Sequence, residues 1–96
     1  MRKIDLDATN WVTVDDFYNA LLSALGAPDW HGHNINALVD SMIWGEINEL
    51  DPPYSICVHG VTRLPNDVRD HIELAKNSLL KARVDNNAQI QFETVA

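Results

Sequence analysis

Residues 28–44, PDWHGHNINALVDSMIW, hold the side chains of this sequence that are best spaced to do chemistry together. If a helix begins after Asn34, four polar or aromatic residues recur at intervals of three, four and four and lie along one outward row. The row consists of His33, Asn36, Asp40 and Trp44. An imidazole, an amide, a carboxylate and an indole on one surface predict recognition of a partner through polar and aromatic contacts. An ordinary solvated helix face is the alternative interpretation.

Metal binding and hydrolysis are alternative chemistries for the same stretch. A histidine stands on either side of Gly32 with acids nearby, but no cysteine is close and the HExxH spacing of zinc enzymes is absent. The serines lack the sequence context of a catalytic nucleophile. We therefore predict no catalytic residue, no metal and no cofactor.

The second helix must position these side chains, and its limits follow from local signals. Gly32 permits a sharp entry, Asn34 can cap the first turn, and Gly45 is expected to end the helix. An apolar stripe at helical spacing faces the core from the same helix and consists of Ile35, Leu38, Val39 and Met42.

Two strands and a helix are predicted around this element. Alternating residues indicate a first strand over Arg2 to Asp7, and Thr13 offers an N-cap for a helix that Gly26 ends. The nearly continuous apolar run from Tyr54 to His59 indicates a strand covered on both faces. Cys57 within it is interpreted as a small buried hydrophobic residue.

A long helix and a last strand complete the order. Asn66 or Asp67 can cap the helix, residues 85–87 break its pattern, and alternation predicts a strand over residues 88–95. Strands separated by helices favour parallel pairing. The sequence thus predicts an α/β fold with a small three-stranded parallel sheet packed by helices, as a single domain over residues 1–96.

The net charge of −7 is unevenly distributed. Residues 1–51 hold nine acids and two bases, whereas residues 52–96 hold five of each. An acidic half around the second helix favours a basic protein partner and argues against direct binding of nucleic acid, which needs a clustered basic face. Without an apolar run for a membrane span or a secretory leader, and with one cysteine, the sequence predicts a cytoplasmic protein.

The sequence of residues 28–40 resembles the barstar-like family of intracellular ribonuclease inhibitors. In that family the segment reads roughly proline, acid, two aromatics, glycine, any residue, asparagine, apolar, aspartate, alanine, leucine, any residue, aspartate. The present sequence agrees at most of these positions, including Gly32, Asn34, Ala37, Leu38 and Asp40.

The resemblance implies an immunity protein that blocks the active site of a basic ribonuclease or nuclease toxin with its second helix and the preceding loop. It also implies a monomer or a 1:1 complex. By resemblance, Asp40 takes the place of the substrate phosphate, Asn36 stands where the family usually has a second aspartate, and Trp30 and His31 occupy the two aromatic positions. The predicted partner-binding residues are Trp30, His31, His33, Asn36, Asp40 and Trp44.

Three departures from the family accompany the lost aspartate. The first is His31, which replaces the second aromatic of the turn. The late part of the long helix, residues 82–86, corresponds to a region from which the family contributes an acid, and here it contains a base. The short helix after the second strand is trimmed to residues 61–65. A non-inhibitory interaction module that binds a basic partner is therefore the alternative function.

Overall fold

Strands and helices alternate along the chain in the computed structural model, which describes residues 2–44, 47–49, 53–86 and 89–96. The strands in these ranges are β1 (Arg2–Asp7), β2 (Tyr54–His59) and β3 (Ile90–Val95). The α-helices are α1 (Val14–Leu25), α2 (Ile35–Val39) and α3 (Asn66–Asn86). A π-helical segment, Asp40–Trp44, follows α2, and a 3-10 turn, Val61–Arg63, follows β2.

The sheet has β2 in its centre, paired in parallel with β1 on one side and β3 on the other. Helical connections between the strands make this parallel order possible. The inner face of the sheet is apolar and buried, and its side chains include Ile4, Leu6, Ile56, Val58, Ile90 and Phe92. The predicted α/β fold with a three-stranded parallel sheet is confirmed.

The opposite side of the sheet, called here the outward sheet face, is polar. It consists of Lys3, Asp5, Asp7, Ser55, Cys57, His59, Gln91, Glu93 and Val95. All of its β1 and β3 residues are exposed, whereas β2 contributes half-buried Ser55, buried Cys57 and exposed His59. The prediction that β2 is covered on both faces is therefore confirmed only in part on this face, since Cys57 is buried, Ser55 is half-buried and His59 is exposed.

The sequence fixes α1 at both ends by local chemistry. Thr13 and Asp16 form a capping box, in which each side chain accepts a hydrogen bond from the other residue's backbone N–H. Gly26 ends the helix in the left-handed conformation, with φ of 67°. The predicted limits of this helix are confirmed. Its buried side chains, which pack into the core, are Phe17, Tyr18, Leu21, Leu22 and Leu25.

The long helix α3 begins at Asn66 and ends at Asn86. The Asn66 side chain accepts a hydrogen bond from the Arg69 guanidinium at 2.8 Å, while the Arg69 backbone N–H donates to Pro65 O at 3.0 Å. A buried stripe packs α3 into the core through Val68, Ile72, Ala75 and Leu79. Among the described helices, none combines the length and apolar character needed to cross a membrane.

The second helix is shorter than the periodicity predicts. Regular α-helix covers only Ile35–Val39, and from Asp40 the backbone widens into the π-helical segment. The predicted row at constant α-helical spacing is wrong, because only Asn36 lies in regular α-helix, while His33 precedes it and Asp40 and Trp44 lie in the π-helical segment. The predicted stop at Gly45 lies outside the described residues.

Candidate functional site

The loop between α1 and α2 is a tight turn that holds an exposed indole. The His31 backbone N–H donates to Pro28 O at 3.0 Å and closes the turn. Trp30, at the tip, is 75% exposed. A large aromatic side chain left in water at the end of a closed turn is typical of an interaction surface.

Gly32 leads from this turn into α2 because the backbone passes close to the helix cap. A Cβ atom on Gly32 would lie 2.8 Å from Asn34 Nδ2 and 3.3 Å from Ala37 Cβ. The uncrowded cap lets Asn34 Oδ1 accept a hydrogen bond from the Ala37 backbone N–H at 2.8 Å. Gly32 therefore sets how closely the turn and the helix can approach.

His31 is buried behind the turn, with only 6% of its surface exposed. Its Nδ1 lies 2.8 Å from Gly32 O, and its Nε2 lies 2.7 Å from Ser41 Oγ. A carbonyl oxygen only accepts, so Nδ1 carries a proton, and in the neutral ring Nε2 accepts from the Ser41 hydroxyl. His31 thus presents almost no surface to a partner and instead connects the turn to the second helix.

This internal bond fixes two exposed residues relative to each other. Trp30 directly precedes His31, and Asp40 directly precedes Ser41. The His31–Ser41 hydrogen bond is buried, so water has little access to compete for its donor and acceptor. The indole and the carboxylate each lie one residue from a member of this bond, so the bond restricts how far the two can move apart.

His33 attaches the same loop to α1. Its Nδ1 lies 3.1 Å from Asp15 Oδ1, and its ring stacks on Tyr18 with centroids 5.4 Å apart and planes at 14°. The Tyr18 hydroxyl lies 2.6 Å from His71 Nε2 on α3. Burial raises the pKa of Tyr18 to about 12. Tyr18 therefore stays protonated at neutral pH and joins the loop, α1 and α3.

The remaining predicted side chains lie on or after α2. Asn36 and Asp40 are exposed. Below them, the π-helical segment is anchored to the sheet, because the Tyr54 hydroxyl donates to Met42 O at 2.8 Å. Single π-helical turns occur frequently at functional sites. The side chain of Trp44 lies outside the described part of the structure.

The structure therefore brings five of the six predicted residues into one loop and helix. Four of them are exposed, and His31 is buried. We call the group formed by Trp30, His31, His33, Asn36 and Asp40 the loop–helix surface. Sequence reasoning missed Ser41 and Tyr18, which hold this surface from behind. Their partners are ten and more residues away along the chain, so no local pattern indicates them.

Arg83, the base in the late part of α3, has a structural partner. Its Nη1 donates to Ile90 O at 2.9 Å, at the start of β3. The base that departs from the family pattern is thus directed at the backbone of the last strand.

The described part of the chain is a parallel sheet with helical crossovers that displays an indole and a carboxylate on one loop and helix. The family model described as barstar (barnase inhibitor) matches residues 1–95, and the chain belongs to this family. The family consists of ribonuclease inhibitors, so the general role of the chain is that of an inhibitor and not of an enzyme. Comparison with curated proteins finds no match.

Proposed function

We propose that this chain inhibits a basic ribonuclease by inserting the Asp40 carboxylate into its active site while Trp30 packs against the rim. The observation that supports this most is the buried hydrogen bond between His31 and Ser41, 2.7 Å long, which joins the two residues next to these contacts. A surface that is ordered before binding loses less conformational entropy in the complex.

The chemistry of the target explains why a carboxylate suits this position. A ribonuclease must direct cationic and N–H donors at the phosphate that it cleaves, so its active site is a preformed receptor for an anion. Asp40 is exposed, and its backbone is held by the neighbouring bond of Ser41. The carboxylate would accept charge-assisted hydrogen bonds there without a large rearrangement of the inhibitor.

Trp30 and Asn36 supply contacts that a single charge cannot. The exposed indole of Trp30 offers a large, rigid apolar area, the property that makes tryptophan common among residues that dominate binding energy. Asn36, which replaces a family aspartate, keeps an acceptor oxygen and adds an N–H donor. We infer that the target presents a mixed donor and acceptor group opposite Asn36.

The acidic half of the chain would speed encounter with a basic target. Residues 1–51 carry the whole net charge of −7. A complementary field raises association rates by about 10 to 1000-fold at low salt. In this proposal the inhibitor acts in the cytoplasm as a single-domain monomer and forms a 1:1 complex.

Affinity capture tests the proposal. Tagged wild-type protein, an Asp40→Lys variant and a Glu93→Gln control would each be incubated with lysate of the source organism at moderate salt. The control changes an exposed acid on the outward sheet face. We expect the wild type and the control, but not Asp40→Lys, to retain a basic protein whose RNA-degrading activity disappears at one equivalent of added inhibitor.

Two outcomes would contradict the proposal. If the retained partner has no nuclease activity, the chain is the interaction module of the alternative interpretation. If Asp40→Lys retains the nuclease as well as the wild type does, the loop–helix surface is not the inhibitory one.

A further inference from the structure

Three metal-binding side chains converge on the outward sheet face, away from the loop–helix surface. Asp5, Cys57 and His59 each direct one ligand atom into a region in which all three atoms lie within 4.8 Å of one another. His59 Nε2 and Asp5 Oδ1 are 3.1 Å apart. In the part of the chain that the structure describes, these three residues form the cluster of histidine, cysteine and acidic side chains that is close enough to share one metal ion.

The strand register creates this cluster. Asp5 on β1 is the direct cross-strand partner of Cys57 on β2. His59 lies two residues after Cys57 on the same strand, so its side chain projects from the same face. The three ligands are thus held by two hydrogen-bonded strands, not by loops.

The surroundings of Cys57 differ from those of a hydrophobic core residue. Cys57 is only 6% exposed, yet its cross-strand partners are the acids Asp5 and Glu93. Burial, and then the charge of Glu93 and Asp5, raise the pKa of the thiol. A buried thiol between two carboxylates is a poor arrangement for packing, but it is a good one for a cation.

The geometry points to a zinc ion bound by Cys57 Sγ, His59 Nε2 and an oxygen of Asp5, with water in the fourth position. Sulfur, nitrogen and carboxylate oxygen are the three donor types that Zn²⁺ takes in proteins. Bond lengths of about 2.0 to 2.3 Å place tetrahedral ligands about 3.2 to 3.6 Å apart. The separation of 3.1 Å between His59 and Asp5 is already close to that spacing, and small side-chain rotations would bring the sulfur in.

Binding requires the thiol to lose its proton. Zn²⁺ takes the thiolate of Cys57, the neutral imidazole of His59 and the carboxylate of Asp5, so one proton leaves the thiol for each ion bound. A bound cation removes the unfavourable interaction of the thiolate with its acidic neighbours. Each zinc ion therefore joins β1, an edge strand, to β2.

Nearby charges favour a cation overall. Lys3 lies on the same face, and its positive charge disfavours binding of a cation. Three exposed acids on that face outnumber it, namely Asp5, Asp7 and Glu93. The histidines of the loop–helix surface offer no comparable cluster within the described ranges, because His31 bonds to Ser41 and Gly32 while His33 bonds to Asp15.

The test is a metal titration of the full chain, reduced and stripped of metal. Cobalt(II) would report on ligation, since a thiolate–cobalt bond adds a charge-transfer band in the near ultraviolet. Zinc would be titrated against a chromophoric chelator, with proton release followed by a pH indicator. We expect one ion per chain, a charge-transfer band, and about one proton released per zinc ion at neutral pH.

Matched variants identify the ligands. Cys57→Ser and His59→Gln should each weaken zinc binding by more than about 100-fold, beyond the 10 to 100-fold typical of outer-sphere changes. His33→Gln is the control, because His33 is also an exposed histidine 3.1 Å from an aspartate. It should bind zinc as the wild type does.

A thermal shift tests the same conclusion independently. Free zinc at about 100 times its dissociation constant should raise the melting temperature of the wild type by roughly 10 to 20 °C and leave His59→Gln nearly unchanged. A cobalt complex without the charge-transfer band would overturn the proposal. The proposal would also be overturned if Cys57→Ser bound zinc as tightly as the wild type. A loss of zinc binding in His33→Gln but not in His59→Gln would contradict it as well.

Discussion

The loop–helix surface and the outward sheet face each combine at least one exposed acid with one buried polar or sulfur-bearing side chain, but they use their polar groups in opposite ways. On the loop–helix surface, buried bonds such as His31 to Ser41 satisfy the supporting groups and leave Trp30 and Asp40 pointing into solvent. On the outward sheet face, the polar groups face one another, as Asp5 and His59 do at 3.1 Å.

This difference shows how one small domain can present two kinds of recognition surface. Exposed side chains on a supported backbone suit a large partner that brings its own complementary groups. Side chains that converge on one point suit a small cation. Pairs of variants, one in the loop–helix surface and a similar one on the outward sheet face, can therefore test each assignment.

The largest effect is expected for Asp40→Ala. Truncating one member of a buried charge pair at an interface costs about 2 to 5 kcal/mol, mostly through faster dissociation. Dissociation rates of the captured ribonuclease, measured by surface plasmon resonance, would report this loss. Glu93→Gln removes a charge from the outward sheet face and should change the binding free energy by less than about 0.5 kcal/mol. Equal effects of the two changes would show that only net charge matters.

Trp30→Ala should weaken binding by about 2 kcal/mol or more, as truncation of a dominant interface aromatic does. Because the indole is 75% exposed, the free energy of unfolding should stay within about 0.5 kcal/mol of wild type. Titration calorimetry and urea unfolding measure the two quantities. Val95→Ala, an exposed apolar residue 42% accessible on the outward sheet face, should alter neither. A stability loss without a binding loss would make Trp30 a packing residue.

Ser41→Ala should lower stability by about 1 to 3 kcal/mol, because buried His31 Nε2 loses its partner. Binding should weaken as well, since the turn that carries Trp30 is no longer tied to the helix. Ser55→Ala, at a half-buried serine of the outward sheet face, should change stability by less than about 0.5 kcal/mol. Unchanged binding by Ser41→Ala would separate the internal bond from recognition.

Tyr18→Phe should change how stability depends on pH. A tyrosine in an unfolded chain ionises near pH 10, whereas burial holds the pKa of Tyr18 at about 12. Between these values the unfolded chain loses a proton that the native protein keeps, so the free energy of unfolding falls as pH rises.

That fall attributable to Tyr18 should be on the order of 1 kcal/mol once solvent screening is allowed for. Urea unfolding of both proteins at several pH values between about 8 and 12 measures it. The stability advantage of the wild type should shrink across this range. An advantage that stays constant would mean that Tyr18 titrates alike in both states.

Much of the fold could be predicted because its signals are local. The Thr13 cap, the Gly26 stop and the alternation of β1 each lie within a few residues of the element that they define. The resemblance of residues 28–40 to a known family added the proposed binding segment and its acid. Local chemistry and one motif were therefore sufficient for the architecture.

The features that could not be predicted depend on distant residues. Periodicity does not distinguish an α-helix from the π-helical turn that begins at Asp40, whose Met42 carbonyl accepts a hydrogen bond from Tyr54 twelve residues later. The burial of His31 depends on Ser41, and the cluster at Cys57 depends on the register between β1 and β2. Sequence alone identifies both strands, but not which residues face each other across them.

The bond between His31 and Ser41 also bears on how such an inhibitor could diverge. Because the scaffold is satisfied from within, Trp30, Asn36 and Asp40 contribute little to folding and are open to replacement when a target nuclease changes. Asn36, at a position where the family resemblance predicts an aspartate, is the kind of exchange that this separation permits. Changes at these exposed positions would therefore alter which partner is bound, while the buried bond keeps the turn and the helix in place.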